Sequence, residues 1–117
     1  MIGVSENVHP KLKRLKEDGH FREMLDAYRF GIAYALAMGV VPDEVSSQTV
    51  FSVASVDPDQ TIKHAIQAIL GDQVQCPVYR MAERLANWGV QEIYEEAAKG
   101  SIDMVSILDK MKAKSET

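Results

Sequence analysis

Residues 27–41, AYRFGIAYALAMGVV, form the most apolar stretch of the chain and carry one charge, Arg29. Small residues recur at four-residue spacing, Ala27, Gly31 and Ala35, with Ala33 and Ala37 close by. A helix apolar nearly all round is either a core element or a membrane span. The run is shorter than the roughly 20 residues a span requires, and Arg29 lies near its start, so a core helix is expected. A glycine inside a helix costs about 1 kcal/mol against alanine. That cost is returned where a second backbone packs closely, so Gly31 predicts one close helix neighbour, the helix carrying Glu83.

Outward from this segment, turn and cap signals divide the chain into helices. Phe21, Met24, Leu25, Tyr28, Ile32 and Leu36 follow helical spacing, so this central helix is expected to run from about Phe21 to Met38, with Gly39 and Pro42 stopping it. Pro10 opens a short amphipathic helix with Leu12 and Leu15 inward, ended by Gly19. Asp57-Pro58-Asp59-Gln60 reads as a helix start, followed by Ile62, Ala65, Ile66, Ile69 and Leu70 on one face. Cys76-Pro77 begins the next helix, with Val78, Met81, Ala82 and Leu85 inward; Asn87-Trp88-Gly89 is expected to break it, and Val90, Ile93, Tyr94 and Ala97 to continue it. Ser101 caps a last helix with Ile102, Val105, Leu108 and Met111 inward. Between these, the β-branched run Val50–Val56 suggests a short extended segment near 49–56. Because one strand cannot make a stable sheet, it needs a partner from another copy or from elsewhere in the chain. The expected fold is all-α: a single domain of about five helices around the central apolar one, with residues 1–8 and 113–117 loose.

The chain has 117 residues, 46% of them hydrophobic and 26% charged, with a formal net charge of −4. This suits one soluble globular domain and argues against indiscriminate binding of nucleic acid. The single cysteine, Cys76, excludes an intramolecular disulfide. The N-terminal MIGVSENVHPK lacks an apolar core behind a basic start, so a cytoplasmic location is expected, without a membrane anchor.

Candidate sites are few. Lys11, Lys13, Arg14 and Lys16 form a basic cluster able to contact phosphate, and so nucleic acid, or a partner, or else a solvated helix face balanced by Glu17 and Asp18. Arg29 must reach the surface or find a partner; a buried ion pair with Glu83 is one candidate. Trp88 is a packing anchor or an exposed interface anchor. Cys76 at a helix start is a candidate nucleophile, although no histidine is near in sequence. Glu92, Glu95 and Glu96 share a helix face. His9, His20 and His64 show no metal-ligand spacing, and no glycine-rich phosphate loop is present. No metal, cofactor or catalytic set is therefore expected.

Two stretches taken together, FREMLDAYRFGIAYALAMG at 21–39 and MAERLANWGV at 81–90, resemble small proteins encoded beside bacterial DNA phosphorothioation systems, the Dnd-system-associated proteins. The shared pattern is an apolar helix ending in glycine, then Glu83, Ala86, Asn87 and Gly89 in order. Leu85 stands where that pattern has an aromatic residue, and Trp88 is bulkier than expected before the glycine. The likeness spans roughly residues 20–100. It implies a non-enzymatic accessory protein of a DNA-modification or phage-defence cluster, with no catalytic residues to carry over.

The expected function is thus an accessory or protein-interaction module, acting with a protein partner or as a homo-oligomer. The alternative is a DNA-binding transcriptional regulator: the strand–helix–helix order from 49 to 88 resembles ribbon–helix–helix proteins, although the strand carries Gln48, Thr49 and Ser52 and no Lys or Arg. A weaker alternative is a small enzyme using Cys76.

Overall fold

A computed structural model of the chain describes residues 1–99 and Asp109. The elements are strand β1 (Ile2–Ser5), helices α1 (His9–Glu17) and α2 (Met24–Met38), strand β2 (Ser47–Phe51), then α3 (Val53–Val56), α4 (Thr61–Leu70) and α5 (Val78–Ala98). A 3-10 turn at Gly71–Gln73 follows α4. The last helix expected from Ser101, Asp109 apart, and the tail 113–117 lie outside the described residues.

The molecule is predominantly helical but not all-α. β1 and β2 pair antiparallel, with Gly3 opposite Thr49, Val4 opposite Gln48 and Ser5 opposite Ser47. The expected loose lead-in is therefore corrected: Ile2 and Val4 are fully buried. A four-residue strand shows too little alternation to be read from sequence, and its stability comes from what covers it. The extended segment is also corrected. It occupies 47–51, and residues 53–56 turn into α3, whose first turn is capped by the Ser52 hydroxyl accepting from Ser55 N.

α2 and α5 are the centre of the fold. α2 buries Ala27, Tyr28, Gly31, Ile32, Tyr34, Ala35 and Leu36, and Gly39 ends it in the left-handed conformation at φ 71°, where glycine carries no Cβ penalty. It begins at Met24 rather than near Phe21, which lies outside the helix with its ring 5.6 Å from that of Phe30. α5 runs unbroken through Asn87-Trp88-Gly89, so the expected break does not occur. Gly89 serves the helix crossing instead of a cap: a Cβ there would lie 2.0 Å from the Gly31 carbonyl oxygen. The close neighbour predicted from Gly31 is indeed the helix carrying Glu83, since a Cβ on Gly31 would meet Val90 N at 3.0 Å and Ala86 O at 3.3 Å.

α5 also closes the edge of β1. Gly3 N donates to Glu83 Oε2 at 3.0 Å and Ser5 N to Asn87 Oδ1 at 2.8 Å, while the Tyr28 hydroxyl donates to Gly3 O at 2.7 Å. Residues four apart on a helix rise about 6 Å, and residues two apart on a strand about 6.6 Å. Glu83 and Asn87 thus match the repeat of the β1 edge and stand in for a third strand. No Cβ fits at Gly3, because it would meet Gln48 O at 1.6 Å.

Asp57 fixes the start of α4. Its buried carboxylate accepts from Ile62 N, Lys63 N and the Tyr79 hydroxyl. The helix start read at Asp57–Gln60 is therefore real in function but begins later, after Gln60 turns left-handed at φ 62°. Of the expected inward face, Ile66 and Leu70 are buried and Ile69 is 53% exposed. Among the described residues, no helix is long and apolar enough to cross a membrane.

Candidate functional site

The segment 40–46 crosses the N-terminal half of α5 and is held there by Arg84. The guanidinium donates through Nε to Pro42 O at 2.7 Å and through Nη2 to the same oxygen; Nη1 lies 3.7 Å from Cys76 Sγ. Clefts open on both sides of this strap. One, of about 310 Å³, is lined by Glu44, Cys76, Arg80, Glu83 and Arg84. The other, of about 340 Å³, is lined by Asp43, Arg84, Trp88, Gln91, Glu92 and Glu95.

The second cleft holds the chemistry most suited to recognition. Trp88 is partly exposed and stacks on Tyr34 of α2, with centroids 5.8 Å apart and planes 17° from parallel. The rim is acidic. Partial burial, reinforced by Glu95 and Glu96, raises the Glu92 carboxyl above the usual range. Burial, then the nearby Glu92 and Glu96, raises the Tyr34 phenol as well. Among the described residues of this lining the one cation is Arg84, already engaged by Pro42 O. An aromatic surface with carboxylates around it attracts a cation through both the ring face and net charge.

The residues singled out in the sequence scatter. Glu83 is buried at 6% exposure, but the proposed Arg29–Glu83 pair is not formed. Arg29 donates to Val56 O at 3.0 Å and Ser55 O at 2.6 Å, at the end of α3. Glu83 accepts from Arg80 Nη1 at 3.0 Å, Ser47 Oγ at 2.6 Å and Gly3 N. α3 and β1 were not legible, so the partners of Arg29 and the Gly3 partner of Glu83 were hidden; Arg80, three residues before Glu83 on the same helix, was within reach of the helical spacing. In the basic cluster, Lys11 Nζ lies 5.6 Å from the Tyr94 ring centroid, Arg14 pairs with Asp18 at 3.2 Å and Lys16 with Glu23 at 3.3 Å. Lys13 is exposed beside them. Cys76 is partly buried, its sulfur facing Arg84. Among the described residues, no group of three His, Cys, Asp or Glu side chains is placed to hold a metal ion.

Arg84, Trp88, Gln91, Glu92 and Glu95 lie at helical spacing on one face of α5. That face was legible in principle, but a break at Gly89 would have divided it. The residues carrying the family resemblance have structural work: Glu83 and Asn87 hold β1, and Ala86 and Gly89 form the crossing with α2. No protein-family model, curated protein or solved structure matches the chain.

Proposed function

We propose that this chain is a non-enzymatic protein-interaction module that docks a cationic segment of a partner protein against the Trp88 face of α5. One observation carries it: a partly exposed tryptophan, stacked on Tyr34 and rimmed by Asp43, Glu92 and Glu95, in a cleft whose own arginine is tied to Pro42. Tryptophan is enriched among the residues that dominate binding energy at interfaces. The surrounding carboxylates set the sign of the partner and speed encounter.

Trp88 is the only tryptophan in the chain, so its fluorescence reports on the site directly. Titration with a lysine- and arginine-rich peptide should change that emission, saturably and less strongly at high salt. The change should be lost in the Glu92→Gln, Glu95→Gln double variant. Emission indifferent to basic peptides would remove the proposal. The accessory role beside a DNA-modification or phage-defence cluster belongs to the same reading, and gene neighbourhood tests it. A gel shift supplies the contrary outcome. Salt-sensitive DNA binding, lost on neutralising Lys11, Lys13, Arg14 and Lys16, would replace the docking module with a DNA-binding regulator.

A further inference from the structure

We infer that two copies of this chain join through the outer edge of β2, in antiparallel register about a twofold axis at Gln48, to make a continuous four-stranded sheet.

In an antiparallel pair, opposed residues either exchange both backbone hydrogen bonds or neither. Gly3 and Ser5 turn their N–H groups to Glu83 and Asn87, and their carbonyls accept from the Tyr28 hydroxyl and Val8 N. Their opposites, Thr49 and Ser47, therefore turn their peptide groups away from β1. Among the described residues, those groups meet no backbone or side-chain partner. Among the described residues the two edges of the sheet thus differ in kind: β1 is covered by α5, and none of them pairs with the outer edge of β2.

An open edge normally carries a lysine, a proline or an inward charge that blocks further pairing. β2 has none of these; its one irregularity, an extra residue at Val50 between the Ile2–Phe51 and Gly3–Thr49 pairs, lies beyond the stretch 47–49. Residues 45–56, VSSQTVFSVASV, contain no charged residue and no proline, although the chain as a whole carries −4. This matters for a second copy in particular. A twofold axis sets residues of the edge against their own counterparts, so any charge near the axis would meet its like. Here none does. With the axis at Gln48, Ser47 faces Thr49 of the second copy and Thr49 faces its Ser47. Both outward-facing residues of each chain then find partners. The exposed Gln48 side chains meet at the axis. A two-stranded sheet is marginal alone, and pairing doubles it.

Sedimentation across the micromolar range tests the inference. The wild-type chain should shift from one to two chain masses as concentration rises. Gln48→Lys sets two positive charges across the axis and should loosen the dimer about tenfold. Gln48→Glu should do the same. An equimolar mixture of the two should recover the dimer, because opposite charges then face each other. Thr49→Pro removes an outward N–H without costing a bond to β1, and should also leave a monomer. Circular dichroism checks the fold of each variant. In the wild type, exchange of the Ser47 and Thr49 amides should slow with concentration, a readout that needs no substitution. A wild-type monomer throughout, a dimer indifferent to Gln48→Lys, or amide exchange independent of concentration would each overturn it. These outcomes are separate from peptide binding at Trp88, which lies on α5.

Discussion

Gly89 of α5 lies against the backbone of Gly31 of α2, so close that a Cβ on Gly89 would sit 2.0 Å from the Gly31 carbonyl oxygen and 2.7 Å from its Cα. Both glycines are buried in the middle of long helices, where glycine is intrinsically unfavourable. The contact explains both at once.

The two positions should nonetheless respond differently. A methyl on Gly89 meets helix backbone, which cannot swing aside. A methyl on Gly31 also meets backbone, Val90 N at 3.0 Å and Ala86 O at 3.3 Å, with Val90 Cγ2 at 3.0 Å, but at distances that a shift of a few tenths of an ångström relieves. Gly89→Ala should therefore cost about 3 kcal/mol or more and Gly31→Ala about 1–2, while Gly31→Leu should be severely destabilising. Urea denaturation of the three variants measures the order. If Gly31→Ala proved the worse of the two alanine variants, this account of the crossing would fail.

Glu83 is a second point of concentrated dependence. Its carboxylate serves a strand amide, a serine hydroxyl and Arg80 while almost wholly buried. Glu83→Ala leaves the Gly3 N–H without an acceptor and should cost about 3 kcal/mol. Glu83→Gln keeps one acceptor oxygen and should cost less. Amide exchange at Gly3 and Ser5 should quicken in the alanine variant before the helices open.

Arg29 should behave as a surface clamp and not as half of a buried pair. Arg29→Ala loses two hydrogen bonds to the end of α3 and should cost about 1 kcal/mol. Combined with Glu83→Ala, its effect should add to within about 0.5 kcal/mol, as for sites sharing no partner. A larger coupling in a double-mutant cycle would show that the two side chains interact after all.

Tyr28 makes stability fall in alkali. Burial, then the neighbouring Glu83, holds its phenol far above the ordinary value in the folded chain, whereas the unfolded chain releases that proton near pH 10. Below about pH 10 both states keep the proton and the stabilisation is fully present. Above it the unfolded state binds fewer protons, so stability declines as pH rises toward the folded value. The urea midpoint should drop between about pH 9 and 11. Tyr28→Phe should flatten that decline while costing about 1 kcal/mol at neutral pH, through the lost bond to Gly3 O.

At the docking surface the sign runs the other way with pH. The raised Glu92 carboxyl gives up its charge at a higher pH than an ordinary glutamate. Binding of a cationic peptide, followed by Trp88 emission, should weaken as pH falls from 7 toward 5, and Glu92→Gln should remove much of that dependence. Trp88→Ala should abolish binding, and its cost to stability should be modest because the ring is only partly buried. Undiminished peptide binding by Trp88→Ala would displace the site.

The sequence by itself determined the predominantly helical character, the apolar faces of four helices and the partner at the central crossing. Apolar residues at helical spacing mark α1, α2, α4 and α5, and the Gly31 stripe called for a close neighbour, because periodicity and residue size are local properties. What it hid depends on distant partners. Ile2–Ser5 is too short to show alternation, and its strand exists because Glu83 and Asn87, some 80 residues away, match its repeat. The same hidden strand concealed the Gly3 partner of Glu83, and the hidden turn at 53–56 concealed the partners of Arg29. Gly89 carries the same residue-level signal whether it ends a helix or admits another backbone, so only the presence of Gly31 against it could decide. The continuous Arg84–Glu95 face, and with it the acidic cleft at Trp88, follows from that decision: tertiary packing, not local propensity, kept α5 in one piece.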